Sequence, residues 1–426
     1  MSKPPFIKSI QINNVRHLHN ILIPIDDTRP RHLILTGPNG CGKTSVLRAL
    51  KDYLEGVPTR QLVQVRNIKQ AILDSTNVID SLNFKLSIAV TDEEKANLRD
   101  QVFTQQQTVR SREAQITNFN KIKPDLSDLL ELIDLYQNGN FLISFFEARR
   151  FSEIQTVSGA QKLDLPKINP IMVSQQSVGS RFLQFLVNQE NRAALLLKKG
   201  DKAGVEEIQI WMDKITEKFR ELFENDQLTL EYDIDNFDFT INIPGREPFR
   251  LVDNQLSDGF SSVLQIVSEL LLRMEAVSPG HYNMRGIVLI DEIETHLHIR
   301  LQKTILPFLT DFFPNIQFIV TTHSPFVLTS LNDAVVFDLE SQERWEHMAP
   351  MSASAVVEDY FDLDLYSNDI KHKIDKYKQL VIMTSRTANQ NEELNQIRAD
   401  LDNVDFESAP ELVAEYNYLR AKESVR

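Results

Sequence analysis

Short apolar runs alternate with longer stretches of helical spacing along most of the 426-residue chain. Residues 6–12 (FIKSIQI) and 21–25 (ILIPI) alternate apolar and polar positions, the pattern of half-buried strands. HLILT at 32–36 is a continuous apolar run that ends at Gly37, and TSVLRALKDYLEG then repeats at helical spacing. From about 56 to 140 the pattern changes. NFKLSIAV puts Phe84, Leu86, Ile88 and Val90 on one face and predicts a strand. A polar, Gln-rich helical segment (EEKANLRDQVFTQQQTVRSREAQ) and a short apolar helix (LSDLLELIDLY) follow. These residues read as an inserted arm, and the lack of sustained heptads argues against a long coiled coil.

NGNFLISFFEARRF returns to strand spacing, and Phe182–Leu197 and Val205–Phe223 read as amphipathic helices. The second carries Ile208, Trp211, Ile215, Phe219 and Leu222 on one face. LTLEYDIDNFDFTINI predicts a hairpin. A helix is expected from near Ser261, a buried strand at GIVLI, a helix over 299–312 and another buried strand at IQFIVTT. Apolar strands alternating with helices predict an α/β fold with a mostly parallel sheet. After AVVFDL the chain turns polar and helical, and SAPELVAEYNYLRAK opens with Ser408 and Glu411 at capping-box spacing.

Composition narrows the picture modestly. Apolar residues make up 42% and charged residues 25%, ordinary for a globular protein. No apolar run approaches the ~20 residues of a membrane helix, and no apolar leader core follows MSKPPFIKSIQI. Cys41, the single cysteine, rules out an intrachain disulfide framework, so a cytoplasmic location is expected. The net charge of −14 argues against a broadly basic nucleic-acid surface while leaving room for a local groove.

The chemistry concentrates in four places. Gly37-Pro38-Asn39-Gly40-Cys41-Gly42-Lys43-Thr44 fits G-x-x-x-x-G-K-[ST] between a strand and a helix. Its glycines let backbone N–H groups curl round phosphate oxygens, the helix N-terminus favours the anion, Lys43 would reach the β/γ-phosphates and Thr44 would ligate Mg²⁺. GIVLIDEIETHLH delivers Asp291 and Glu292 to a strand's carboxyl end, where Asp291 would hold Mg²⁺ and Glu292 would polarise the attacking water. VTTHSPFVL sets His323 beyond the last apolar strand, where a neutral imidazole could bond the γ-phosphate. NQLSDGFSSVL places Ser257 and Gly259 just before a helix, a second anion site.

Along the chain the order is phosphate loop, Ser257 and Gly259, acidic strand end, histidine, and in that order the four motifs resemble the ATP-binding cassette (ABC) ATPases, and among them the RecF, SMC and overcoming-lysogenization-defect branch. The resemblance covers residues 5–50 and 141–340. It implies a P-loop ABC-type ATPase head with a mostly parallel sheet and an antiparallel β subdomain, formed by residues 1–55 and 141–340. The arm is then 56–140, and a helical extension occupies 341–426. The implied ligands are ATP and Mg²⁺. Asn39, Gly40, Cys41, Gly42, Lys43, Thr44 and Ser45 would surround the phosphates. Ser257 and Gly259 would reach the γ-phosphate held by a second subunit, giving ATP-sandwich homodimers or larger assemblies built on them. Cys41 stands where the family commonly has serine, so its backbone N–H rather than its thiol would do the binding. The family's glutamine-loop position falls on Glu147, with Gln155 farther on, and Arg149 and Arg150 could pair with phosphate or with acidic residues of the core. His296, His298 and Glu294 match a subunit-contact loop rather than a metal site.

Residues 324–426 contain no glycine and no acidic cluster of the kind used by the family's nuclease domain. The expectation is an ATPase that works with a separately encoded effector, a nuclease held by the C-terminal helices. That arrangement resembles the ATPase subunits of anti-phage systems such as Septu and PARIS. The alternatives are a RecF-like ATPase that clamps DNA and a nucleotide-dependent scaffold with little turnover.

Overall fold

The computed structural model describes residues 5–56, 61–150, 154–165, 178–253, 258–279, 282–346, 348, 350–352, 356, 368–383, 385–402 and 410–424. The chain begins with β1 (Ile7–Val15), β2 (Leu18–Pro24), β3 (His32–Thr36) and α1 (Lys43–Glu55). Helices α2 (Gln61–Ile88) and α3 (Asp92–Asn120) lead to β4 (Ile122–Leu126), α4 (Leu129–Gln137) and β5 (Phe141–Phe146). Then come α5 (Phe182–Lys199), α6 (Lys202–Phe223), β6 (Thr229–Asp233), β7 (Asp238–Asn242), β8 (Phe249–Arg250) and α7 (Asp258–Val277). The last part of this unit holds β9 (Arg285–Ile290), α8 (Ile299–Phe312), β10 (Ile316–Thr321), α9 (Pro325–Leu328), β11 (Ala334–Asp338) and β12 (Arg344–Glu346). Three further helices are α10 (Asn368–Ile382), α11 (Ala388–Leu401) and α12 (Pro410–Ser424).

The apolar runs become the central sheet, ordered β12-β11-β3-β10-β9-β5. All its neighbouring strands are parallel except β12, which runs antiparallel to β11. Both faces of a parallel sheet are covered, which is why β5, β9 and β10 carry almost no polar residue. Their registers pair Val320 with Ile290 and Ile290 with Phe146, so the strands finish level with one another. The loops after β3, β5, β9 and β10 therefore leave the same edge.

A second sheet, β2-β1-β4, is antiparallel and supplies Ile10, Ile12 and Ile23 to a core shared with Leu33, Leu35, Val46 and Leu50. Gln317 of β10 fastens the two sheets. Its Oε1 accepts from the Ile7 N–H (2.8 Å), and its Nε2 donates to the Ile7 and Arg31 carbonyls (3.0 and 2.8 Å). The predicted hairpin forms a third sheet, β6-β7-β8.

The arm departs from expectation. Phe84, Leu86 and Ile88 lie within the helix α2, and Phe84 and Ile88 are exposed. Period-2 alternation over eight residues gave no strand because nothing beside it offers a ladder; a helix satisfies its own backbone groups. The helix then packs against α3 through Leu82, Ser75 and Ile116, with Arg112 donating to the Ala71 carbonyl and the Ser75 hydroxyl (both 2.8 Å). Thr91 caps α3, accepting from the Glu94 N–H, and three acidic residues in the first turn suit the helix dipole. Strand β4 was not expected, because Pro124 cannot donate to a ladder. It lies on the edge of its sheet, where proline is tolerated.

The chain divides into two compact units, residues 1–351 and 352–426. The second has its own core of Ile374, Tyr377, Leu380, Leu394, Ile397 and Tyr416, among others. Thr387 and Gln390 form a reciprocal capping box at the start of α11. The Ser408 box predicted from sequence lies outside the described residues.

Candidate nucleotide-binding site

The phosphate loop leaves β3 at the level edge of the sheet. Gly37, Gly40 and Gly42 have φ of 128°, 88° and 106°, a region that side chains disfavour. At Gly37 there is also no space, since an added Cβ would stand 2.9 Å from the Cys41 sulfur. Asn39 and Gly40 are exposed, and Ser45 is half-buried in the first turn of α1. Lys43 folds back over the loop. Its Nζ donates to the carbonyls of Gly37 (2.9 Å) and Pro38 (3.1 Å), weak substitutes for anionic oxygens. Cys41 is buried, and that burial pushes its thiol above the ordinary range despite Lys43 nearby.

Strand β9 brings Asp291 to the same edge. Thr44 Oγ1 donates to Asp291 Oδ1 at 3.1 Å, and Thr321 Oγ1 donates to the same oxygen at 2.7 Å. Thr321 also accepts from the Glu292 N–H at 2.7 Å, so one hydroxyl at the end of β10 orients both acidic residues. Glu292 adopts φ of 43°, a left-handed conformation costing a non-glycine residue about 1 kcal/mol. Its Oε2 accepts from Thr295 Oγ1 (3.2 Å). Arg150 donates to the carbonyls of Asp291 (2.6 Å), Glu292 (3.1 Å) and Ile293 (3.2 Å), which holds the turn in that conformation. The sequence offers Arg150 either phosphate or acidic residues of the core as partners; its hydrogen bonds to described residues go to four backbone carbonyls and one serine hydroxyl, and the carboxylates of Glu294, Asp291 and Glu292 act on it through their charge. Burial lowers its pKa to about 10, with Glu294, Asp291 and Glu292 opposing, so it keeps its charge at neutral pH.

His323 follows β10, and its backbone N–H donates to Glu294 Oε1 at 2.6 Å. Burial and then the charge of Lys43 lower the imidazole pKa, against the opposing carboxylates of Glu294, Glu292 and Asp291. Its neutral form is therefore favoured beside the loop. Glu147, at the end of β5, pairs with Arg48 of α1 (3.1 Å), while Gln155 is exposed and bonds through its backbone to Ser180.

Gly259 lies inside the first turn of α7, not ahead of it, because the helix starts at Asp258. An added Cβ there would approach the His296 carbonyl to 2.8 Å, so α7 abuts the loop that follows the acidic pair. A cleft of about 810 Å³ opens beside it, lined by Arg246, Gly259, Phe260, His296, His298 and Arg300, among others. Ser257 lies outside the described residues.

Thr44 and Asp291 offer a hydroxyl and a carboxylate, hard donors of the kind Mg²⁺ takes alongside water and substrate phosphates. Among the described residues no three His, Cys, Asp or Glu side chains form a group that could hold a metal ion. Sequence reasoning missed Thr321 and Thr295, and it singled out Arg150 without finding its backbone partners. The first stands at the end of an apolar strand, where a lone polar residue is a usable signal; the second sits in a polar loop that gives none.

A glycine loop, an acidic strand end and a histidine at the carboxyl edge of a parallel sheet define a P-loop nucleotide-binding protein of the ABC type. The chain belongs to the family described as "AAA domain, putative AbiEii toxin, Type IV TA system", whose model matches residues 33–329, well over half the chain. It is similar over 417 residues, at 24% identity, to the Septu protein PtuA of Bacillus mycoides (strain KBAB4), covering 94% of this chain and 51% of that protein. A shorter match of 139 residues, at 37% identity, is to the "Retron Vc95 probable ATPase" of Vibrio cholerae serotype O1 biovar El Tor. It covers 30% of this chain and 27% of that protein. The chain thus spans about half the length of the Septu relative and about a quarter of the retron one. Among solved structures, the SMC head domain from Thermotoga maritima is 13% identical with a TM-score of 0.34, covering 78% of this chain and 94% of that one. Among the described residues no helix is long and apolar enough to cross a membrane.

Proposed function

We propose that this chain binds ATP with Mg²⁺ and hydrolyses it as the ATPase component of a bacterial anti-phage system, closing as a homodimer around nucleotide and controlling a separately encoded effector, a nuclease. The bond from Thr44 to Asp291 carries the reading, because it joins the phosphate loop to the acidic strand end 247 residues away. The names of the Septu and retron relatives support the biological setting.

In this reading the backbone N–H groups of residues 39–45 wrap the phosphates, and Lys43 exchanges the Gly37 and Pro38 carbonyls for β/γ oxygens. Mg²⁺, held by Thr44 and Asp291, would offset the negative charge that builds on the phosphates. Thr321 keeps Asp291 aimed at that position. Glu292, steadied by Thr295, takes the proton of the attacking water, and the neutral His323 bonds the γ-phosphate. Ser257 and Gly259 serve the nucleotide of a second copy, across the face where the cleft beside α7 opens.

The test is direct. Lys43→Ala should weaken ATP binding at least ~10-fold, and Glu292→Gln should keep binding while cutting turnover ~100-fold or more. Lys43→Ala turning over ATP at the wild-type rate would refute the assignment. Ser257→Arg should retain nucleotide binding and lose hydrolysis; normal turnover by that variant would remove the sandwich dimer from the proposal.

A further inference from the structure

Arg150 is 2% exposed and lies where three elements of the site meet. A guanidinium carries five N–H groups in one rigid plane, and Arg150 makes five hydrogen bonds. Beyond the three carbonyls of residues 291–293, Nη1 donates to the Glu147 carbonyl at the end of β5 (2.8 Å). Nε donates to Ser262 Oγ of α7 (3.1 Å). One cation thus joins β5, the turn that carries the acidic pair, and the helix that starts at Asp258.

The arrangement has a direction. Residues 291–293 turn three successive carbonyls toward Arg150, and the left-handed backbone at Glu292 accompanies that turn. Ser262 is 1% exposed and lies three residues beyond Gly259, so the two share a face of α7. That face meets the 291–298 loop directly, through the close approach of Gly259 to the His296 carbonyl, and indirectly, through the bond from Arg150 to Ser262. A fully bonded, buried network has little slack. Lysine could not replace the arginine, since three donors on a point charge cannot reach acceptors on opposite sides.

We propose that Arg150 is a positioning residue that couples the first turns of α7 to Glu292, so that the placement of α7 sets the orientation of the hydrolytic carboxylate. The inference rests on the ATPase reading. It supplies that reading with a regulatory route: whatever seats the N-terminal turn of α7, including nucleotide held by a second copy, acts on Glu292 through Ser262 and Arg150.

Ser262→Ala cuts this link and leaves the other four guanidinium bonds in place. It should lower kcat about ten-fold while the Kd for Mg²⁺–ATP stays within about two-fold of wild type. Arg150→Lys should lower kcat at least as far, again with nucleotide affinity retained. Turnover by Ser262→Ala at the wild-type rate would overturn the proposal. So would a parallel loss of kcat, nucleotide affinity and melting temperature in both variants, the pattern of a purely structural role. Failure of the ATPase reading shows elsewhere: in a wild-type chain without turnover, or in turnover that survives Lys43→Ala.

Discussion

Cys41 shows how little of a residue's chemistry follows from its position. It lies in the phosphate loop, yet burial raises its thiol pKa, and a thiolate there would also repel phosphate. On the proposed reading, residue 41 needs a small side chain and a backbone N–H that can leave the Pro38 carbonyl, 3.3 Å away, for a phosphate oxygen. Cys41→Ser should therefore leave ATP turnover within about two-fold of wild type, measured as phosphate release. A severe loss would assign the sulfur a role that its surroundings do not suggest. His323 makes the opposite case. Burial and Lys43 lower its pKa, so it stays neutral to a pH below the ~6.5 of a free imidazole. Turnover that needs the neutral ring should hold as pH drops through 6.5 and decline only at more acid values. That acid limb should change in His323→Asn; an identical pH profile would exclude the histidine from the rate. The loop, Asp291 and Glu292 were legible because contiguous residue types with one dominant use stand there. Thr321 and the partners of Arg150 were not, since a threonine and a loop arginine have many uses and most of those partners lie 30 or more than 100 residues away.

At the scale of elements, continuous apolar runs predicted the parallel strands well, and alternation predicted the arm badly. GIVLI and IQFIVTT became β9 and β10 because neighbouring strands supply their ladders. NFKLSIAV alternates apolar and polar positions but has no such neighbours among the described residues, and Phe84, Leu86 and Ile88 joined the helical hairpin. Pattern proposes an element, and the availability of partners decides it. Helix α7 shows a partner that no local pattern reveals. Glu269, 1% exposed, accepts from Arg273 Nε (2.7 Å) one turn on and from the Gly179 N–H (2.8 Å). The pair ties the segment ahead of α5 to α7. Glu269→Ala would leave Arg273 charged and buried with its acceptor gone, so the expected cost is about 3–5 kcal/mol in urea unfolding. A loss below about 1 kcal/mol would mean that water or another acceptor replaces the carboxylate.

For the whole molecule, the two compact units have very different means of staying folded. Residues 1–351 hold three sheets, two of which share a long core, with buried fasteners such as Gln317. Among the described residues of 352–426, three helices surround a small cluster in which Tyr377 is fully buried. A core of this size seldom supplies more than about 3–5 kcal/mol. Within it, Tyr416 donates to Asp402 Oδ1 at 2.7 Å, and burial and that carboxylate hold the phenol protonated. Thermal or urea unfolding should therefore proceed in two steps, the helical unit melting first. A chain truncated after Met351 should lose the first transition, keep the second, and bind Mg²⁺–ATP as the full chain does, because loop, acidic pair and histidine all lie before that point. Three curves decide it: unfolding of the full chain, unfolding of the truncated chain, and nucleotide titration of both. A single transition in the full chain, or a truncated chain that no longer folds, would show that the helical unit is an integral part of the core. Two steps with unchanged nucleotide affinity would leave residues 352–426 free for contacts beyond the nucleotide site, the role proposed for them toward an effector.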